Sequence, residues 1–164
     1  MSHDHDEHRE KLESKLKSFF EESTVCRNAA KPLKESALIE LIVDGEPFTF
    51  CKKGSANSLT SGAPDRPDVV FTLTEKALDE ILALNSDSSV NYAKLIFGQI
   101  TSEDASRKVR IASRMGPLAF ISKGFMGILT QEGLAMTKLL AEYGLSNVSK
   151  IKDALKKIKE DSPG

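Results

Sequence analysis

The dipeptide Asp44-Gly45 restricts this chain more than any other feature. It lies between two stretches of alternating apolar residues. Asp-Gly supplies the two positive-φ positions of a type I′ hairpin turn at low steric cost. Taking those residues as the turn places Leu41 opposite Phe48 and Ile39 opposite Phe50. All four side chains then share one face, because pairing preserves the period of two. The sequence therefore predicts a β-hairpin over Ala37–Lys52 whose apolar face needs a cover.

The rest of the chain supplies it. From about His5 to Glu22, Leu12, Leu16, Phe19 and Phe20 recur at helical spacing among charged residues. Ser23–Ser36 reads as irregular around Pro32, and Lys53–Asp68 as a loop rich in Gly, Ser and Pro. Val69–Leu73 is a third strand, and Thr74 is a suitable N-cap for the helix after it, with Ala77, Leu78, Ile81 and Leu82 inward. A short helix is expected over about Val90–Ile96, broken by Gly98. Lys108–Ala112 alternates as a strand, with Val109 and Ile111 inward. Pro117 opens a helix at the position where its missing N–H is harmless. That helix carries Leu118, Ile121, Phe125, Ile128 and Leu129 on one side, with Phe120 and Met126 widening the apolar surface. Gly124 and Gly127 each weaken it by about 1 kcal/mol relative to Ala. Gly133 separates it from a helix ending at Gly144, and Val148–Lys159 sets Val148, Ile151, Leu155 and Ile158 on one stripe with lysines elsewhere.

This order is not regular βαβ alternation. It implies an α+β fold, a small curved sheet covered on one face by helices. One globular unit is expected: an amphipathic helix and linker over 1–35, the main domain over 36–145 and a basic amphipathic helix over 146–164.

Composition removes function classes. The chain has 164 residues with 23 basic and 24 acidic side chains, so no global field gathers nucleic acid, and none is expected as a partner. The two cysteines, Cys26 and Cys51, are too few for a disulfide framework. All three histidines, His3, His5 and His8, lie in the first eight residues. A Ser-His-Asp or Cys-His arrangement would need that segment to fold back over the domain. No apolar stretch marks a secretory signal, and Met115–Gln131 is too short to span a bilayer and contains Lys123. The expected location is cytoplasmic.

Each chemical candidate has a plainer rival. His3, His5 and His8 with Asp4, Asp6 and Glu7 have metal-ligand chemistry, but a mobile polar terminus explains them better. The stretch "KKGSANSLTSG" lacks the spacing of a phosphate-binding loop and reads as a solvated turn. Cys51 is a small packing residue with no base in view. The lysines of the last helix, diluted by Asp153, Glu160 and Asp161, read as a solvated face. Met115–Leu140 is the oddity, because Met115, Phe120, Phe125, Met126 and Met136 leave too few polar positions for a one-faced helix. It is either a helix buried on most sides or the lining of an apolar cavity, where adaptable Met and Phe suit ligands of varied shape.

Three segments resemble the sterol-carrier-protein type, the non-specific lipid-transfer domain family, over about Ile39–Leu140. They are "RPDVVFTLTEKALDEIL", "NYAKLIFGQI" and "KVRIASRMGPLAF". The sequence departs from the family pattern at Arg107 and Ser113, where glycines are usual, at Pro117, and in the longer "TSEDAS" connection. The resemblance implies a five-stranded sheet with helices on one face and an apolar tunnel between them. It further implies non-catalytic binding of fatty acid, acyl-CoA, phospholipid or sterol-like lipid, with no cofactor. Lining residues are then expected among Ile81, Phe97, Ile111, Met115, Leu118, Phe120, Ile121, Phe125, Met126, Leu129, Met136 and Leu140. Transient membrane contact is a further expectation. Two rivals stay open: an accessory protein of a lipid-handling complex that docks through its helices, and an enzyme that works without histidine.

Overall fold

The hairpin forms in the register read from the sequence. In the computed structural model, strands β1 (Ile39–Val43) and β2 (Glu46–Lys53) pair antiparallel, with Leu41 opposite Phe48 and Ile39 opposite Phe50. Asp44 and Gly45 adopt φ of 48° and 85°, as a type I′ turn requires. The structure describes residues 2–162. The side chains of Ser2, His3 and Val148 lie outside that description, and with them the readings that used His3 and Val148.

The first half of the expected loop over Lys53–Asp68 is in fact a strand, β3 (Ala56–Ser61), paired with β2. Its polar sequence resembles a loop because it is an edge strand with one large inward residue, Leu59, which is fully buried. The chain then returns as β4 (Val69–Leu73), parallel to β1, and β5 (Arg110–Ser113) pairs antiparallel with β4. The result is an open five-stranded mixed sheet of order β3-β2-β1-β4-β5.

Register lines up one apolar face. Leu59, Phe50, Ile39 and Val69 form one cross-strand row, and Phe48, Leu41, Phe71 and Ile111 the next. Helices close over that face. Leu12 and Leu16 come from α1 (Ser2–Lys17), Ala77, Leu78 and Ile81 from α3 (Glu75–Leu84), and Ile151 and Leu155 from α8 (Val148–Asp161), all in one core. Thr74 caps α3 as expected, its Oγ1 accepting from the Ala77 N–H at 3.1 Å. Lys15 ties α1 to α3 by donating to Glu75 and Asp79 at 2.7 and 3.0 Å.

Both free sheet edges are covered, as edge strands require. At β3, the Leu59 N–H donates to the Glu21 carboxylate. At β5, the Ser113 N–H donates to the Ser162 hydroxyl at the end of α8. Glu21 reaches its partner because the first helix changes to a π turn over Ser18–Glu22, followed by a short α2 (Thr24–Ala29) where the sequence reads as irregular. Ser23 caps α2 through the Cys26 N–H, a local signal present in the sequence.

Two glycines behave differently from expectation. Helix α4 (Ser89–Ile100) runs through Gly98, where packing of the helix overrides a propensity cost of about 1 kcal/mol. The helix after Pro117 instead splits into α5 (Pro117–Ser122) and α6 (Phe125–Leu129), because Gly124 takes φ of 93°. Helix α7 (Gly133–Glu142) follows, and Leu145 N–H donates to Leu140 O past Gly144 to close its end.

Candidate ligand site

The region from Met115 to Leu140 is built from three short helices hung between β5 and α8. Ser113 Oγ accepts from the Met115 N–H and turns the chain inward, leaving Met115 only 3% exposed. Lys123, at the end of α5, donates to Asp68 Oδ1 at 2.7 Å, while Asp68 Oδ2 accepts from the Leu38 N–H. That ion pair anchors α5 to the start of β4. Beyond it, Gly124 and Gly127 press against Pro32. A Cβ on Gly124 would stand 1.9 Å from the Pro32 carbonyl oxygen, and one on Gly127 would stand 2.5 Å from the Pro32 Cβ. These glycines are therefore required by close approach, a role their helix propensity does not reveal.

A second anchor joins α7 to α4. Glu132, in the left-handed region, accepts from the Val90 N–H at 2.7 Å and from the Ser89 and Ser88 hydroxyls at 2.9 and 3.1 Å. Desolvation is the largest influence on this carboxyl and pushes its pKa up. The hydrogen bonds from Val90, Ser89 and Ser88 together outweigh it, and the pKa lies below its ordinary 4.5. Glu132 thus caps α4 from a distant part of the chain.

These anchors place the sequence-predicted residues in two apolar clusters. Ile81, Met115, Phe120 and Phe125 belong to the main core, with Ile111, Met126 and Leu129 packed against it. Met136 and Leu140 form a smaller cluster between α7 and α4, against which Phe97 packs. Leu129 and Leu145 touch both. Phe120 stacks on Phe125 with ring centroids 5.6 Å apart, and Phe97 on Tyr143 at 4.9 Å. Leu118 and Ile121 join neither cluster. They point outward from α5, 82% and 42% exposed.

Other chemistry sits elsewhere. Burial pushes the Cys26 thiol up to about 11, against a smaller downward pull from Ser23, so it is held as an unreactive thiol. On α1, His5 meets Glu46, while His8 faces Glu75 at 3.7 Å. His8, Asp44 and Glu75 hold potential ligand atoms within 4.8 Å of one another, and the Lys15 ammonium already occupies Glu75 Oε2. Gln99 is fully buried between α4 and α3. Its Nε2 donates to Ala77 O at 3.0 Å, and its Oε1 has no partner among the described residues.

Two clefts open on the N-terminal side. One of about 470 Å³ lies on the outer face of α1, between Glu10, Glu13, Lys17 and Glu22. The other, about 600 Å³, lies between α2 and the β2–β3 turn and is lined by Glu21, Thr24, Arg27, Asn28, Lys31, Lys52, Ser55, Ala56 and Asn57. Neither is lined by any residue of the two-cluster region. The sequence reading missed the second cleft because it missed β3. A signal was present: the alternation that puts Phe48 and Phe50 inside also puts Lys52 inside.

A solved structure titled "UbiJ-SCP2 Ubiquinone synthesis protein" is similar to this chain, with 12% identity and a TM-score of 0.42 over 73% of this chain and 90% of that one. No family model matches the chain, and no curated protein matches it. No helix among the described residues is long and apolar enough to cross a membrane.

Proposed function

We propose that this protein binds and transfers a hydrophobic ligand without catalysis or cofactor, receiving a fatty acid, acyl-CoA, phospholipid or sterol-like lipid between α5–α7 and the sheet. The observation that carries the reading is the divided apolar interior. All of the expected lining residues except Leu118 and Ile121 face two clusters joined through Leu129 and Leu145. The helices carrying most of them are short and interrupted at Gly124 and at Glu132-Gly133. Separating two apolar clusters around an acyl chain replaces one apolar contact by another, and each CH₂ withdrawn from water contributes about 0.8 kcal/mol. Such a site needs to open and to exclude water, with no proton to move. Leu118 and Ile121 give α5 an exposed apolar edge suited to brief contact with a membrane during loading.

Titration of the purified protein with a fluorescent fatty acid tests this. Saturation near one equivalent, displaced by unlabelled lipid, is the expected result, together with slower exchange from vesicles after Leu118→Glu. Absence of saturable binding to fatty acid, acyl-CoA, phospholipid and sterol refutes the reading.

A further inference from the structure

Lys52 is a cation with a buried stem and, among the described residues, no counter-ion. The residue is only 8% exposed, shares the covered face of β2 with Phe48 and Phe50, and its side chain makes no hydrogen bond or ion pair with any described residue. The buried stem fixes where the lysine emerges, and its ammonium is left to meet solvent at the cleft. Lys52 lines the cleft of about 600 Å³ between α2 and the β2–β3 turn. The exposed Arg27 and Lys31 line the same cleft, and neither side chain has a partner among the described residues.

The walls are fixed independently of any occupant. Asn57, paired in register with Lys52, donates from Nδ2 to the carbonyls of Phe20 and Cys26 at 2.8 and 3.3 Å, pinning the π turn and α2 to β3. Glu21 is the one carboxylate among the described lining residues, and it is engaged by the Leu59 N–H at 2.8 Å. Glu35, outside the lining, is held by the Gly54 N–H. Three cations thus stand against one carboxylate, with Thr24, Asn28 and Ser55 offering neutral hydrogen bonds at the rim.

We propose that this cleft is a binding site for a phosphate monoester, with Lys52 as the inner anchor and Arg27 and Lys31 closing on the outer oxygens. A phosphate monoester carries about −1.5 to −2 charges at neutral pH, which the excess positive charge of the lining offsets. Its oxygens match the forked donors of Arg27 and the point charges of the two lysines. The inference does not rest on the hydrophobic-ligand reading, since no residue is shared between the two sites.

Thermal unfolding of the full chain is measured against inorganic phosphate and glycerol phosphate, with chloride at matched ionic strength as the control for screening. Flotation with phosphatidylcholine vesicles, with and without phosphatidic acid, is measured in parallel. A saturable rise in Tm with the soluble anions assigns a free phosphate compound. Binding to phosphatidic acid vesicles alone assigns a lipid headgroup. In either case Lys52→Met weakens binding about 10–100-fold, as loss of a charged hydrogen-bonding partner does. Without ligand, Lys52→Met leaves Tm close to the wild-type value, because Met keeps the buried stem of the lysine and only the solvent-facing ammonium is lost. Arg27→Gln, at an exposed position, weakens binding without touching the core and serves if Lys52→Met folds poorly. The proposal is overturned if neither soluble anion nor anionic vesicle binds beyond the chloride and phosphatidylcholine controls. It is equally overturned if binding is unchanged in both variants. Fatty acid titration of Lys52→Met separates the two sites, since its stoichiometry and affinity should match the wild type.

Discussion

Gly124→Ala tests whether the three-helix region is held by contact with Pro32. Two terms add. An L-residue in the left-handed conformation that Gly124 adopts, φ 93°, costs about 1–2 kcal/mol. The new Cβ would also lie 1.9 Å from the Pro32 oxygen, 2.6 Å from its carbonyl carbon and 2.8 Å from Leu33 Cα. All three are backbone atoms without a rotamer to yield, and overpacking of this kind costs about 1–3 kcal/mol. The expected loss is about 2–5 kcal/mol, measured by urea unfolding. Gly127→Ala is predicted to lose less. Ala restores about 1 kcal/mol of helix propensity, against a clash at 2.5 and 2.9 Å with Cβ and Cγ of the Pro32 ring. Gly98→Ala is the control, since a Cβ there meets nothing within 4 Å, and it should gain up to about 1 kcal/mol. Pro32→Gly removes the ring but leaves the carbonyl. It should therefore couple to Gly127→Ala by at least about 0.5 kcal/mol and much less to Gly124→Ala. A loss below about 1 kcal/mol for Gly124→Ala, or equal coupling of both glycines to Pro32→Gly, would refute the contact argument.

Two further outcomes follow from the anchors. Glu132 has a folded pKa below its ordinary 4.5, so the unfolded chain takes up a proton first as pH falls, and the stabilisation present above that value is lost through the folded pKa. Glu132→Gln should therefore cost about 0.5–1 kcal/mol at pH 7, discounted for exposure, and less under acid; a pH-independent difference would contradict the capping role. Ending the chain after Asn147 removes Ile151 and Leu155 from the core and uncovers the β5 edge at Ser113. The truncated protein should still fold, lose up to about 3–6 kcal/mol, and release fluorescent fatty acid faster; an unchanged release rate removes α8 from any gating role.

What the sequence discloses follows from the range of the forces involved. The β1–β2 hairpin was legible because turn chemistry and alternation are local and agree, as were the Thr74 cap and the Pro117 helix start. Strand β3 was hidden because an edge strand with polar Ser58, Thr60 and Ser61 has the composition of a loop, and only pairing with β2 makes it a strand. The left-handed break at Gly124 depends on Pro32, and the cap on α4 depends on Glu132, so neither is written in the neighbouring residues. For the apolar site, Met and Phe spacing located the region, whereas the outward turn of Leu118 and Ile121 depends on how α5 is seated by Lys123 and Asp68.

The same distinction bears on how the molecule works. Of the largest fully buried side chains, Leu12, Leu16, Val43, Phe48 and Leu59 lie on α1 and on the β1–β3 part of the sheet, while Gln99 and Met136 lie on α4 and α7. Helices α5 and α6 have five or six residues each, too few to be stable alone, and depend on Lys123, Gly124 and their packing for position. Opening there would sacrifice few backbone hydrogen bonds and leave the strand ladder intact, which places it among the least costly local motions of the fold. The cleft around Lys52 has the opposite construction. Its walls are joined by Asn57 and Glu21 to two backbone carbonyls and a backbone N–H, so the backbone that carries its cations is held in place. A yielding apolar region suits ligands of varied shape, and a cationic cleft with fixed walls suits one small group of defined charge.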